Sequence, residues 1–428
     1  MESALKLIST TPTLKSISFT IWNYHDQYHR ILIPALKSHP QLQEFHLSCW
    51  SSIQPISVSQ IIEASSQFET VSLSLGGSGD AYSLIGQDII KVETAVQNCF
   101  EKMQNTKIRD LSIQMSLENE AVQVISLLLR RCPLLENLSL IKLHLGNSLT
   151  GITQVFRDGG CPGLKHLTLK NFYRLKHSDQ DLAELLGSIG GDDAIRDLYS
   201  KPGLESISLD AGVDCRYLCT LALTQYHSET LTRLETSQFV LLNLEEFVEL
   251  TNGLPKLQSI TANIRLATKM RNDEDTNILF ETQWNCLMLR ELDIKMNFAR
   301  KFKYIQEHNW EGSVEARATS YVMSQIGRLQ CLETLRLDSD MQILVPMRGP
   351  GYLTRLKGLK KLHVLHLKRW VDGSMGVEEA EWMIRNWPCL DHVSIGHYKS
   401  PRNPYISQSI NMPFVSRLLV RRPLIKID

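Results

Sequence analysis

Residues 161–171 read CPGLKHLTLKN, in which Leu164, Leu167 and Leu169 form an LxxLxL run. Successive side chains of an extended segment point to opposite faces, so Leu167 and Leu169 share one face and Thr168 takes the other. The same grammar returns along the chain. Its third apolar position falls at Phe19, Leu47, Leu73, Ile113, Leu140, Leu169, Leu209, Thr236, Ala262, Ile294, Leu337, Leu367 and Ile395. Eight of the twelve intervals lie between 26 and 30 residues, a length that gives each strand a helix rather than a bare turn. The four longer intervals mark insertions.

Proline supplies an independent mark. It stands two residues before the first apolar position at Pro12, Pro40, Pro133, Pro162, Pro202, Pro255 and Pro388. Proline cannot continue a helix and holds its predecessor extended, so it ends each helix and leads into the next strand. Helical spacing fills the gaps at Ile61 and Ile62, and from Val122 to Leu129, Leu182 to Leu186, Phe247 to Leu250 and Val377 to Ile384. Strand, loop, helix and turn make one leucine-rich repeat. Such a repeat buries its apolar faces only against its neighbours. The pattern therefore predicts an α/β leucine-rich-repeat solenoid, a horseshoe with a concave parallel sheet and convex helices. Residues 1–428 read as a single array of about 13 repeats, with insertions near 76–105, 174–202, 265–285 and 296–325. The residues before Pro12 resemble the end of a repeat helix and residues 421–428 begin a further strand, so both ends read as cut within an array.

Lys and Arg number 46 and Asp and Glu also number 46, which removes any general attraction to nucleic acid or an acidic membrane. No apolar run approaches the roughly 18 residues that span a bilayer, and no membrane partner is expected. Among nine cysteines, Cys132, Cys161 and Cys286 each stand three residues before the first Leu of a repeat, where small buried thiols suit a repeated corner. Cys215 and Cys219 have no ligand set around them and read as core thiols. With no secretory leader in MESALKLIST, an intracellular location with reduced thiols is expected, cytoplasmic or nuclear.

The glycine-rich stretches GGSGD (76–80) and GSIGGDD (187–193) lack a following Gly-Lys-Ser/Thr and read as flexible loops. No glycine-framed serine, HExxH or CxxC pair appears, so neither catalysis, a cofactor nor a metal is expected. Between 296 and 325, Arg300, Lys301 and Lys303 interleave with Phe298, Phe302, Tyr304 and Trp310. This suits either an amphipathic excursion packed on the solenoid or a surface for a phosphopeptide or nucleic-acid strand.

Residues between the second and third apolar positions should point into the cup. In the first half these are mostly Ser and Thr, as at Ser18, Ser72, Ser112, Ser139 and Thr168; in the second half they are Glu235, Asp293, Arg336 and His366. The next outward column adds Lys295, Asp338 and Lys368. Charges of both signs supply directional contacts. The candidate partner-binding set is therefore Asp293, Lys295, Arg336, Asp338, His366 and Lys368, with Trp370 and Tyr398 as rim anchors. Those two belong to a column where leucine-rich repeats commonly carry Asn and where only Asn297 does so here. Trp22, Trp50, Phe172, Phe239, Trp370 and Tyr398 replace it, and large rings suit a packing spine beneath the loops.

The CPxLxxLxL leads at 132 and 161, with repeats near 28 residues, resemble the leucine-rich portion of F-box/leucine-rich-repeat proteins, with their ribonuclease-inhibitor-like horseshoe. The resemblance implies a substrate-recognition module of a cullin-RING ubiquitin ligase, a protein held on the concave face, and adaptor binding through an F-box. No Leu-Pro followed by an apolar helix precedes Leu14, so the adaptor is a partner only if an F-box lies upstream. The fold class also suits a free-standing scaffold or a leucine-rich-repeat regulator of a small GTPase, although regulators of that type carry a cleaner Asn column and an acidic tail. Here residues 359–428 hold 11 Lys and Arg against 6 Asp and Glu.

Overall fold

The computed structural model describes residues 11, 13–22, 26–39, 41–49, 55–75, 96–101, 103–115, 120–141, 149–170, 179–190, 203–210, 217–237, 240–266, 279–297, 314–339, 353–368, 376–396 and 412–427. The chain divides into two compact units, Met1–Asp214 and Cys215–Asp428. Each is built from the same strand-and-helix repeat, and the fold is an α/β leucine-rich-repeat solenoid.

In the first unit the strands are β1 (Ser16–Ile21), β2 (Glu44–Cys49), β3 (Thr70–Leu75), β4 (Asp110–Met115), β5 (Asn137–Ile141), β6 (His166–Lys170) and β7 (Ser206–Leu209). Each pairs in parallel with the next in chain order. The register sets Phe19, Leu47, Leu73, Ile113, Leu140, Leu169 and Leu209 side by side, as the spacing predicts. The helices include α1 (Asp26–Lys37), α2 (Pro55–Ala64), α3 (Glu120–Leu129), α4 (Thr150–Arg157) and α5 (Asp179–Gly190), and these pack side by side in order. Gly187–Gly190, which the glycine content places in a loop, form the last turn of α5, where Ser188 Oγ donates to Leu185 O at 2.7 Å. Residues 76–80 lie outside the described residues.

The second unit contains β8 (Arg233–Thr236), β9 (Leu241–Asn243), β10 (Ser259–Arg265), β11 (Glu291–Asn297), β12 (Thr334–Ser339), β13 (Val364–Lys368), β14 (His392–Gly396) and β15 (Lys426–Ile427). β10 pairs with β8, β9 and β11, and from β11 to β15 each strand pairs in parallel with the next. Its helices are α6 (Tyr217–His227), α7 (Leu244–Gly253), α8 (Val314–Ile326), α9 (Val377–Asn386) and α10 (Met412–Arg421), with a 3-10 turn at Thr354–Gly358 in place of a helix before β13. Asn243 caps α7: its side chain accepts from Glu246 N at 2.9 Å and its own amide donates to Glu246 Oε2 at 2.8 Å, a reciprocal capping box.

The core follows from alternation. Leu, Ile, Val and Phe at every second strand position are buried while their neighbours are half-exposed, and each such side chain contributes about 2 kcal/mol on leaving water. Larger rings fill the wider spaces, with Phe247 edge-on to Trp284 at 5.3 Å and Trp382 edge-on to Trp387 at 5.2 Å. The aromatic spine beneath the loops is not what Trp22 joins: it is 71% exposed, just after β1, a strand with a described neighbour on one side only. The other five rings of that column lie outside the described residues. Asn297 does act as its column requires, donating through Nδ2 to Asn263 Oδ1 and to Ile264 O in the preceding strand.

Cys132, Cys161 and Cys286 are buried, as expected of corner thiols. Cys161 takes φ 52°, uncommon for a residue with a side chain, and its Sγ donates to Leu129 O at 3.3 Å. Burial pushes the thiols of Cys132 and Cys286 up to about 12 from 9.0. A fold that favours the neutral thiol holds this stability below pH 9 and loses it as pH climbs from 9 towards 12. Cys389, by contrast, is exposed. A short pulse of iodoacetamide at about pH 8, followed by peptide mapping, is expected to label Cys389 readily and Cys132 and Cys286 only after unfolding.

Two glycines mark a close crossing. A Cβ on Gly327, just after α8, would land on the carbonyl oxygen of Arg355, and one on Gly358 would land on that of Gly327. Backbone cannot yield as a side chain tip can. Gly327→Ala is expected to destabilise the protein by about 2 kcal/mol in urea unfolding. Gly163→Ala, whose Cβ would meet only Leu135 O at 3.7 Å, should stay within about 0.5 kcal/mol of the parent.

Candidate functional site

The candidate site lies wholly in the second unit, on the sheet face turned away from the buried leucines. In β11, Leu292, Ile294 and Met296 face inward and are buried, which turns Asp293, Lys295 and Asn297 outward. In β12, Leu335 and Leu337 do the same for Arg336 and Asp338, and in β13 Leu365 and Leu367 do it for His366. The apolar residues thus orient the polar ones.

Parallel register then decides the lateral neighbours. Asp293 stands beside Arg336 and Lys295 beside Asp338. Strands lie about 4.8 Å apart and alternate residues about 6.6 Å apart along a strand, so the four charges occupy the corners of a small rectangle. Within the rectangle each has an opposite charge along its strand and another across to the next strand, while Glu291, just before Asp293 on the same face, repeats its sign. Thr261 and Asn263 of β10 flank this array on one side, beside Asp293 and Lys295. His366 of β13 flanks it on the other, beside Arg336.

These residues line a groove of about 330 Å³, together with Thr236 and the buried Ala262 and Leu337. The groove begins where the sheet is interrupted. Glu235 of β8 pairs with Thr261, yet Leu241 of β9 pairs with Asn263, so six residues of chain stand opposite two. The break takes Ser237 off the sheet, although the repeat pattern alone would keep it on the strand. Thr236 and Ala262 occupy inward positions where other repeats place Leu, Ile or Phe, and Thr236 Oγ1 donates to Thr261 O at 3.1 Å. Thr236, Thr261 and Asn263 join the groove without carrying charge, and a reading that follows charged outward positions passes over them.

Of the predicted contact residues, the groove gathers Asp293, Lys295, Arg336, Asp338 and His366. Lys368 ends β13 opposite Gly396, and Trp370 and Tyr398 lie outside the described residues. The mixed basic and aromatic run at 298–313 lies outside them too. Next to the groove, the rings of His366 and His392 approach to 5.1 Å between centroids. Among the described residues no group of three or more His, Cys, Asp or Glu is arranged to hold a metal ion, and no helix is long and apolar enough to cross a membrane.

No protein-family model matches the chain, and no curated protein matches it in sequence. Solved structures do. A chain of the TLR13–ssRNA13 complex is 13% identical with a TM-score of 0.34; the match covers 98% of this chain, which spans only 65% of that one. A chain of the Rad7 and Elc1 complex in yeast is 12% identical with a TM-score of 0.37, over 100% of this chain and 93% of that one. Similarity of this order carries nothing about partners.

Arg336 is exposed and anchors no part of the core. Arg336→Ala is expected to change unfolding free energy by no more than about 0.5 kcal/mol, read from urea midpoints, so that any loss of binding in this variant reflects the surface.

Proposed function

We propose that this chain is a protein-interaction module that holds a partner protein on the open sheet face of its second unit. The observation that carries this reading is the groove bounded by four charges of alternating sign. A polyanion gains from Lys295 and Arg336 what it loses to Asp293 and Asp338, so nucleic acid is a poor fit. Protein surfaces offer both signs at short range, and complementarity of that kind supplies specificity. The proposed contacts are Asp293, Lys295, Arg336, Asp338, His366 and Lys368, with Trp370 and Tyr398 at the rim.

Within this reading we assign the chain the finer role of a substrate-recognition module of the F-box/leucine-rich-repeat kind, cytoplasmic or nuclear, with adaptor binding conditional on an upstream F-box. The CPxLxxLxL leads and repeat lengths support that assignment. The experiment is recovery of tagged protein from its own cells, with quantitative mass spectrometry. The triple variant Arg336→Ala, His366→Ala, Lys368→Ala should recover the main partner at least about tenfold less well than the parent. Equal recovery by both proteins sinks the surface assignment. Recovery of a cullin-ligase adaptor with an upstream-extended chain supports the ligase role, whereas a stoichiometric partner without adaptor returns the module to a free-standing scaffold.

A further inference from the structure

The charge pattern of the groove specifies the shape of what it takes. Resting on the protein-partner reading above, we infer that the element seated in the groove is an α-helix presenting an acidic and a basic side chain one turn apart. Within the groove the signs along β11 run Asp293 then Lys295, with Glu291 one step earlier on the same face and outside the lining, and along β12 they run Arg336 then Asp338. Each strand therefore offers a pair of opposite charges about 6.6 Å apart. Residues four apart on a helix are separated by about 6 Å along its axis and lie on one face, so a Glu and Lys at that spacing meet both members of a pair.

Width agrees with length. A helix with its side chains is about 10–12 Å across, which spans two to three strand spacings of about 4.8 Å. Centred over β11 and β12, it would reach the flank formed by Thr261 on one side and His366 on the other.

Backbone chemistry separates a helix from an extended segment, whose side-chain period would also match. A strand laid on the face of a sheet meets side chains, not edges, and its own N–H and C=O groups find no ladder there. A helix brings its backbone already satisfied. It also brings its acid and base already paired across one turn, so they exchange one charged neighbour for another on docking instead of giving up water alone.

The test uses the full chain and two phage-displayed libraries, one a 25-residue helical scaffold randomised on its outward face, the other unstructured peptides of the same length. Binders are screened again on the variant Asp293→Arg with Arg336→Asp. That exchange keeps the net charge and every lateral opposite pair but makes the two groove positions of β11 both basic and those of β12 both acidic. Helical binders with Asp or Glu four residues from Lys or Arg, weakened at least tenfold by the exchange, bear the inference out. If exchange-sensitive binders come instead from the unstructured library, or carry one sign of charge, the helix inference falls while the protein-partner reading stands. If neither library yields binders sensitive to the exchange, and the variant melts as the parent does, both fall.

Discussion

Within each unit, one backbone carbonyl recurs from repeat to repeat and carries the register of the strands. It belongs to the residue just before the strand, and it accepts two consecutive amides from the repeat that follows. Lys15 O takes Gln43 N and Glu44 N, Gln43 O takes Glu69 N and Thr70 N, and the relay continues through Glu69, Arg109, Glu136 and Lys165. In the second unit Thr232, Gln258, Arg290, Glu333 and His363 do the same. A slip by one residue would break this relay and turn every buried leucine to water. The leucines and the carbonyls therefore demand the same alignment, and neither could hold it alone in a repeat too small to close its own core.

The side chains on those same positions repeat the message in charge. Arg109 bonds Glu136 at 2.6 Å, and Lys165 lies 3.9 Å from both Glu136 and Glu205. Arg290 reaches Glu333 at 3.7 Å and His363 reaches Asp391 at 3.1 Å. These groups are a third to two thirds exposed, and such pairs contribute little to stability. Their alternation disfavours a wrong neighbour more than it strengthens the right one.

The groove opens beside one local departure from an otherwise regular scaffold: the strand ahead of β10 breaks into β8 and β9. Regularity elsewhere keeps the four charged side chains in fixed lateral order beside that depression. Because the array is neutral as a whole, its field falls away quickly with distance. Recognition there depends on contact geometry rather than on long-range attraction.

The sequence by itself determined the repeat, its columns and the faces they present. From Phe19 to Leu209 and again from Ala262 to Ile395, the residues picked out by spacing stand side by side in the sheet. Periodicity is legible because each apolar residue answers to its own strand, and the outward columns follow from it, so Asp293, Arg336 and His366 could be singled out together. Tertiary structure alone decided how deep the face is and which backbones touch. Nothing local in Gly327 or Gly358 announces that Gly327 lies against the carbonyl of Arg355 and Gly358 against that of Gly327, nor does a four-residue excess between β8 and β9 show where the sheet will open. Those outcomes depend on the distance between segments tens of residues apart, set when neighbouring repeats stack, and a one-dimensional pattern records which face a residue takes but not how closely another chain segment approaches it.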